Sequence, residues 1–225
     1  TSAEFVRQMN VGKAHLENRS SAGAIEAFTI ALKLEPKSTP ALRDLARAQM
    51  LANQNDDAIK LLTRARSLEK DSPATFYLLG LAHAHQTQFE RAVPFLEEAV
   101  RLDAFTPALR FQLASAYQMA RQPDKSLAQL RETVRLDPLH ASAHFKLAAL
   151  AAQAGDRAEF EKQQEEFMRL RKLFSDDSRT PAAMERCVHT QPEPAPFPVP
   201  QPSAGIKVRV VEATAQVFAD EAARA

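Results

Sequence analysis

Residues 73–106 read PATFYLLGLAHAHQTQFERAVPFLEEAVRLDAFT, and residues 107–140 read PALRFQLASAYQMARQPDKSLAQLRETVRLDPLH. Set one above the other, the two stretches have equal length and carry the same residue classes in the same columns. The pattern continues outward without insertion, so blocks of 34 residues begin at Phe5, Thr39, Pro73, Pro107 and Ala141. The eighth column holds Gly12, Ala46, Gly80, Ala114 and Ala148, each preceded by an apolar residue: Val11, Leu45, Leu79, Leu113 and Leu147. Only a tiny side chain there lets two helix backbones approach closely. Further along stand Ala24, Ala58, Ala92 and Ser126, then Phe28, Leu62, Leu96 and Leu130, then Ala31, Ala65, Ala99 and Thr133. Those three columns form an i, i+4, i+7 stripe, the signature of a helix with one buried face.

Helix boundaries follow the same phase. Ser72 before Pro73 and Thr106 before Pro107 each put a hydroxyl N-cap ahead of a proline at the first helical position, and Thr39-Pro40 is a similar start. Short polar turns such as 18–21, 53–56 and 121–124 separate the two helices of each block. Ten helices in antiparallel pairs are expected, and stacking pairs of constant length gives a solenoid with a concave and a convex face.

The 34-residue unit with these columns, closing on Pro36 and Pro138 in two blocks, resembles the tetratricopeptide repeat. Departures are plain. No block has tryptophan in the first large column, which holds Gln8, Leu42, Phe76, Arg110 and His144, and only Tyr117 conforms in the tyrosine column. The fifth block puts Phe160 and Gln164 where small and large apolar residues are expected, so its second helix reads as a terminal cap. The resemblance implies an all-α fold, a right-handed α-solenoid whose first helices line the inner groove. It assigns residues 5–38, 39–72, 73–106, 107–140 and 141–174 to five repeats.

The resemblance also implies which columns face the groove. They hold Val6, Met9, Lys13 and Leu16 in the first repeat, then Arg43, Arg47, Met50 and Leu51 in the second. Tyr77, Leu81 and His85 follow in the third, Phe111, Ser115, Gln118 and Met119 in the fourth, and Phe145 and Gln153 in the fifth. Basic residues gather at the amino-terminal end, and aromatic and methionine side chains occupy the middle and far end. Such a contiguous apolar surface, if exposed, marks a binding site, and methionine adds adaptability. The expected partner is an extended or helical peptide with an apolar stretch and an acidic end. The alternative is that Tyr77, Phe111 and Phe145, spaced by one repeat, pack against the neighbouring first helix. Some relatives clamp a terminal carboxylate with Lys, Asn, Asn, Lys and Arg. The matching positions here are Met9, Lys13, Asp44, Ala74 and Leu78, so that mode of recognition is not expected.

Composition narrows the function class. The chain has 225 residues, is 45% hydrophobic and 25% charged, and its net charge is +1. That charge divides as about +3 over the repeats and about −2 after residue 174, which offers no electrostatic case for nucleic acid. No apolar run approaches the roughly 20 residues of a membrane helix. The lone Cys187 leaves no internal disulfide framework. The start at Thr1 reads as a processed or excised chain, and the compartment is not legible from it.

Catalysis finds little support, and no cofactor is expected. His140 and His144 stand i, i+4, but no glutamate follows His140 to complete a metalloprotease motif, so no metal site is expected. Cys187 and His189 lie two apart with nothing to fix the geometry that a nucleophile needs. The Glu159–Glu166 cluster with Lys162 reads as a solvated helix face. The five glycines are scattered and make no phosphate loop.

After residue 174 the character changes. Residues 175–190 form a polar connector, and 191–205 are Pro-rich, with every second residue from Pro192 to Pro202 a proline. Alternating prolines favour a stiff, extended path. Phe197, between Pro196 and Pro198, could fold back into the groove from the same chain or from a partner chain. Residues 206–225 alternate like a short strand over Ile206–Val211 or align as one helical face. They loosely resemble the approach to a β-propeller domain in larger bacterial proteins. The function expected is a protein-interaction scaffold that takes a peptide in its concave groove. The alternatives are a non-catalytic repeat module of a larger exported or enzymatic protein, and homo-oligomer assembly through the last helix near Phe160, Phe167 and Leu170.

Overall fold

The computed structural model describes residues 2–173, and the polar connector, Pro-rich linker and final segment fall outside the described residues. The first repeat folds as α1 (Ala3–Glu17) and α2 (Ser21–Leu34), the second as α3 (Thr39–Leu51) and α4 (Asn55–Leu68). The third comprises α5 (Pro73–His85) and α6 (Phe89–Leu102), the fourth α7 (Pro107–Met119) and α8 (Pro123–Leu136), and the last α9 (Ala141–Ala154) and α10 (Arg157–Leu173). Among the described residues there are ten α-helices and no strand, stacked as one α-solenoid. No described helix is long and apolar enough to cross a membrane.

The repeated small residue sets the distance between the helices of a pair. A Cβ built on Gly12 would sit 2.5 Å from the Phe28 ring, and one on Gly80 would sit 2.5 Å from Leu96 Cγ. Phe28, Leu62, Leu96 and Leu130 are almost wholly buried, as are the small side chains at Ala24, Ala58, Ala92 and Ser126. Each large side chain so buried contributes about 1.5–3 kcal/mol. Ser126 is tolerated in this apolar column because its hydroxyl donates to the Ala114 carbonyl at 2.8 Å. The fifth repeat departs as its sequence does: Gln164 is exposed, and α10 buries Gln163 and Leu170 instead.

Every intra-repeat turn is the same backbone object. Arg19, Asn53, Thr87, Arg121 and Gly155 all have φ between 56° and 74°. In each turn the next N–H reaches back into the preceding helix, from Ser20 to His15, Gln54 to Gln49, Gln88 to His83, Gln122 to Tyr117 and Asp156 to Ala151. This is the Schellman closure, which satisfies carbonyls left open at a helix end. Only the last turn uses the glycine that this conformation favours. The period is therefore written in the backbone as well as in the side chains.

Helix starts follow the expected phase with two corrections, the first being that the cap of α3 is Ser38 and not Thr39, which is already helical. Ser2, Ser38 and Ser72 accept side-chain bonds from Phe5, Ala41 and Thr75 N–H. Thr106 makes no such cap, and its hydroxyl instead donates to Asp103 Oδ2 at 2.6 Å. Prolines open α5, α7 and α8, whereas Pro94 lies inside α6 on an exposed face, where water can take up the carbonyl it leaves unpaired.

Two stability outcomes follow from these features. Replacing Gly80 by Val drives a branched side chain into Leu96 and should lower unfolding free energy by about 2–3 kcal/mol, read from urea midpoints. Thr87 is a β-branched residue in the left-handed region, a costly placement. Its replacement by Asn or Gly should raise stability by about 0.5–1 kcal/mol, visible as a melting temperature a few degrees higher.

Candidate functional site

Among the first helices α1 packs on α3 and α3 on α5, and among the described residues no two second helices pack comparably. Tyr77 of α5 shares a core with Leu109 and Leu113 of α7, and Lys146 of α9 reaches Gln118 of α7, which continues the layer of first helices through α7 and α9. Its fifth column is not open surface. Met9, Arg43, Tyr77 and Phe111 are exposed by only 0%, 5%, 1% and 3%, so the expectation that Tyr77 and Phe111 line a free apolar groove is corrected. Met50 is also buried.

At Arg43 and Phe111 the reason is a contact 29 residues on, where the side chain reaches the cap of the next first helix. Arg43 Nη1 donates to Ser72 Oγ and Thr75 Oγ1, both at 3.3 Å, and to Glu69 Oε2 at 2.6 Å. Phe111 lies with its ring centroid 4.6 Å from that of His140. Burial alone would push the Glu69 carboxyl up, but the bonds from Arg43 and Thr39 outweigh it and hold the group below its ordinary value. Arg47 pairs with the fully buried Asp44 one turn away. The basic amino-terminal end is therefore largely compensated within the protein, and Arg43 is a structural clip between repeats. Lys13 and Leu81 are half-buried, and His85 is exposed.

The pattern breaks at Phe145. It occupies the same column on α9, where no further described repeat follows, and is 56% exposed. Its ring meets Phe167 of α10, with centroids 5.3 Å apart. Around this pair a shallow depression of about 670 Å³ opens between α7, α9 and α10. Phe111 and Ser115 form part of its floor, and Gln112, Gln118, Ser142 and Lys146 bring polar groups to it. Lys146 Nζ donates to Gln118 Oε1 at 3.3 Å and stands 5.5 Å from the Phe111 ring centroid. Ser115 is turned to the Phe111 carbonyl at 2.9 Å, and Met119, 58% exposed, lies one residue beyond Gln118.

Of the groove residues read from sequence, Phe111, Ser115, Gln118 and Phe145 thus come together in one place. Gln112, Ser142 and Lys146 were missed as site residues, and Phe167 was read only as an assembly contact. The signal that could have found them is the end of the array: columns covered inside the solenoid are uncovered in its last repeat. Leu170, offered for oligomer assembly, is wholly buried, while Phe160 and Phe167 are half-buried.

The histidine pair is structural. His140 Nδ1 accepts from Ala143 N–H at 3.2 Å and caps α9. His144 Nδ1 lies 2.6 Å from Gln163 Oε1 and its Nε2 lies 3.1 Å from the Pro138 carbonyl, tying α9 to α10. Among the described residues no three His, Cys, Asp or Glu side chains gather as a metal site would require. Glu161 and Glu166 pair with Arg157 and Arg169 on the α10 surface, and Glu159 accepts from Gln163. Cys187 and His189 are outside the described residues.

A curved stack of helical hairpins with its surface opening at one end of the inner face defines a repeat-built α-solenoid. Tetratricopeptide-repeat models match residues 15–81, 73–106 and 111–166, and the chain belongs to the tetratricopeptide-repeat proteins. A crystal structure of MamA is 22% identical and superposes with a TM-score of 0.67 over 74% of this chain and 97% of that one. YrrB, described as a TPR protein with an unusual peptide-binding site, is 19% identical at a TM-score of 0.60, covering 73% of this chain and 85% of its own. A thermophilic TPR protein from Thermus thermophilus, TTC0263, is 19% identical at 0.61, over 76% and 97%. These likenesses show the fold. No curated protein matches the sequence.

The cap at His140 carries a pH signature. Burial lowers its pKa below the ordinary histidine value; nearby Asp137 works the other way and His144 adds to the lowering. A protonated ring also cannot accept from Ala143. Its contribution to stability is complete above about pH 6.5 and is lost as pH falls through the depressed folded value. Between pH 7.5 and pH 5 the wild type should therefore lose more stability than His140→Ser, which keeps a capping oxygen; matched denaturant midpoints at the two pH values measure the difference.

Proposed function

We propose that this protein is an interaction scaffold that holds an extended segment of a partner at the inner corner between α7, α9 and α10. The carrying observation is Phe145, open in the last repeat although its column is buried in each of the four before it. An apolar side chain of the ligand seats against Phe145 and Phe167, and burial there supplies most of the affinity. Gln112 and Ser142 meet the ligand backbone, which an extended chain presents with its hydrogen-bonding groups unpaired. Lys146 favours an acidic neighbour and speeds encounter more than it tightens binding.

This reading moves the positive charge of the site from Arg43 and Arg47 to Lys146. It keeps the peptide class expected from the sequence, an apolar stretch beside an acidic residue. Membership of a repeat family built for protein contacts supports it, as does the peptide-binding site named for YrrB. No reaction step is part of it.

An arrayed library of extended peptides, probed with the full chain, provides the test. Peptides pairing an aromatic or large aliphatic residue with an acidic one should be retained. Phe145→Ser combined with Lys146→Glu should weaken their binding at least tenfold, about 1.4 kcal/mol, while Lys13→Glu at the other end of the groove leaves it unchanged. Equal retention by all three proteins rejects the site.

A further inference from the structure

We infer that the occupant of this corner is a segment of the same chain, the Pro192–Pro202 stretch with Phe197 near its centre. The inference rests on the groove reading above and names what fills the groove.

The first argument is hydrogen-bond chemistry. From Pro192 to Pro202 the chain has eleven carbonyls and only five backbone N–H groups, because six of its residues are proline. Such a stretch offers acceptors and needs a surface that donates. The corner is lined by Gln112, Gln118, Ser142 and Lys146, each of which carries a hydrogen-bond donor. The oxygen of Gln118 is already turned to Lys146, which directs its NH2 group elsewhere.

The second argument is shape and charge. Proline-rich segments dock on aromatic surfaces because their backbone torsions are already restricted and little entropy is lost on binding. Phe145 and Phe167 form such a surface, and Phe197 supplies an aromatic side chain to it. Glu193, the one acidic residue of the stretch, matches Lys146.

The third argument is reach. Phe167 lies six residues before the end of α10, about 9 Å along the helix, and 24 residues separate Leu173 from Phe197. A chain of that many residues can extend at most about 80 Å, so the corner sits well within its reach. Tethering of this kind sets an effective concentration of about 1 mM. An intrinsic affinity of only about 0.1 mM then keeps the groove roughly nine-tenths filled.

A fluorescein-labelled peptide of residues 190–203, added to the full chain and followed by anisotropy, tests the inference. The wild type should bind it about tenfold more weakly than Phe197→Asp, whose own segment no longer competes. Adding Phe145→Ser to Phe197→Asp should abolish binding while the melting temperature falls by only a few degrees, since the ring is half open and loses one contact, with Phe167. Equal affinity for wild type and Phe197→Asp, or no binding to either, overturns the inference and leaves the library test of the groove to its own result. A tenfold block that disappears on dilution assigns the segment to a second copy and overturns it as well.

Discussion

Everything in this molecule depends on how closely the two helices of each pair approach. Gly12 and Gly80 have no room for a Cβ at the present spacing, since one would lie inside the van der Waals radius of Phe28 or Leu96. Ala46 and Ala114 hold the same column opposite Leu62 and Leu130. A constant small residue opposite a constant large one gives each hairpin nearly the same thickness, and identical left-handed turns give each the same length. Equal units stack with an equal rotation between them, and a curved ribbon results. Curvature thus arises from a steric limit applied in four successive repeats.

A second regularity joins the units. The fifth-column side chain of one repeat covers the start of the next first helix, by charge at Arg43 and by ring contact at Phe111. Chemically different residues serve because the place demands only a long side chain that reaches the neighbouring cap. Arg43 shows the cost of using charge there: a guanidinium 5% exposed needs Glu69, Ser72 and Thr75 around it, and loss of one partner leaves a buried ion short of bonds. Tyr117 makes a comparable link backwards, donating to Glu97 of the preceding repeat at 2.5 Å; burial and that bond push its pKa up.

Much of this was legible before any coordinate. The columns through Gly12, Ala24 and Phe28 gave the phase, the helix pairs and the buried stripe, because core packing repeats with the sequence period. The site was less legible. Column position says which way a residue leaves its helix, but not whether the next repeat covers it. Tyr77 and Phe145 share a column and differ in exposure from 1% to 56%. Arg43 looked like a steering charge because its partners, Ser72 and Thr75, lie 29 and 32 residues away. Thr106 looked like a cap, and its hydroxyl is turned to Asp103 instead. Each error has one origin: a local pattern fixes orientation, while a contact one repeat away fixes availability.

Binding surface in a solenoid is consequently an end effect as much as a groove effect. Inside the stack the fifth column is consumed by neighbouring helices, and Lys13, Leu81 and Ser115 in other inner columns are half-buried. At the last described repeat the same columns have no described successor, and Phe145 stands partly open beside Phe167 of α10. A surface of that origin already has the apolar character and the spacing of a protein interface, so an extended segment that supplies one large side chain completes a contact the repeat is built to make. The carboxyl-terminal corner acquires its binding chemistry from the periodicity itself, at the point where the periodicity stops.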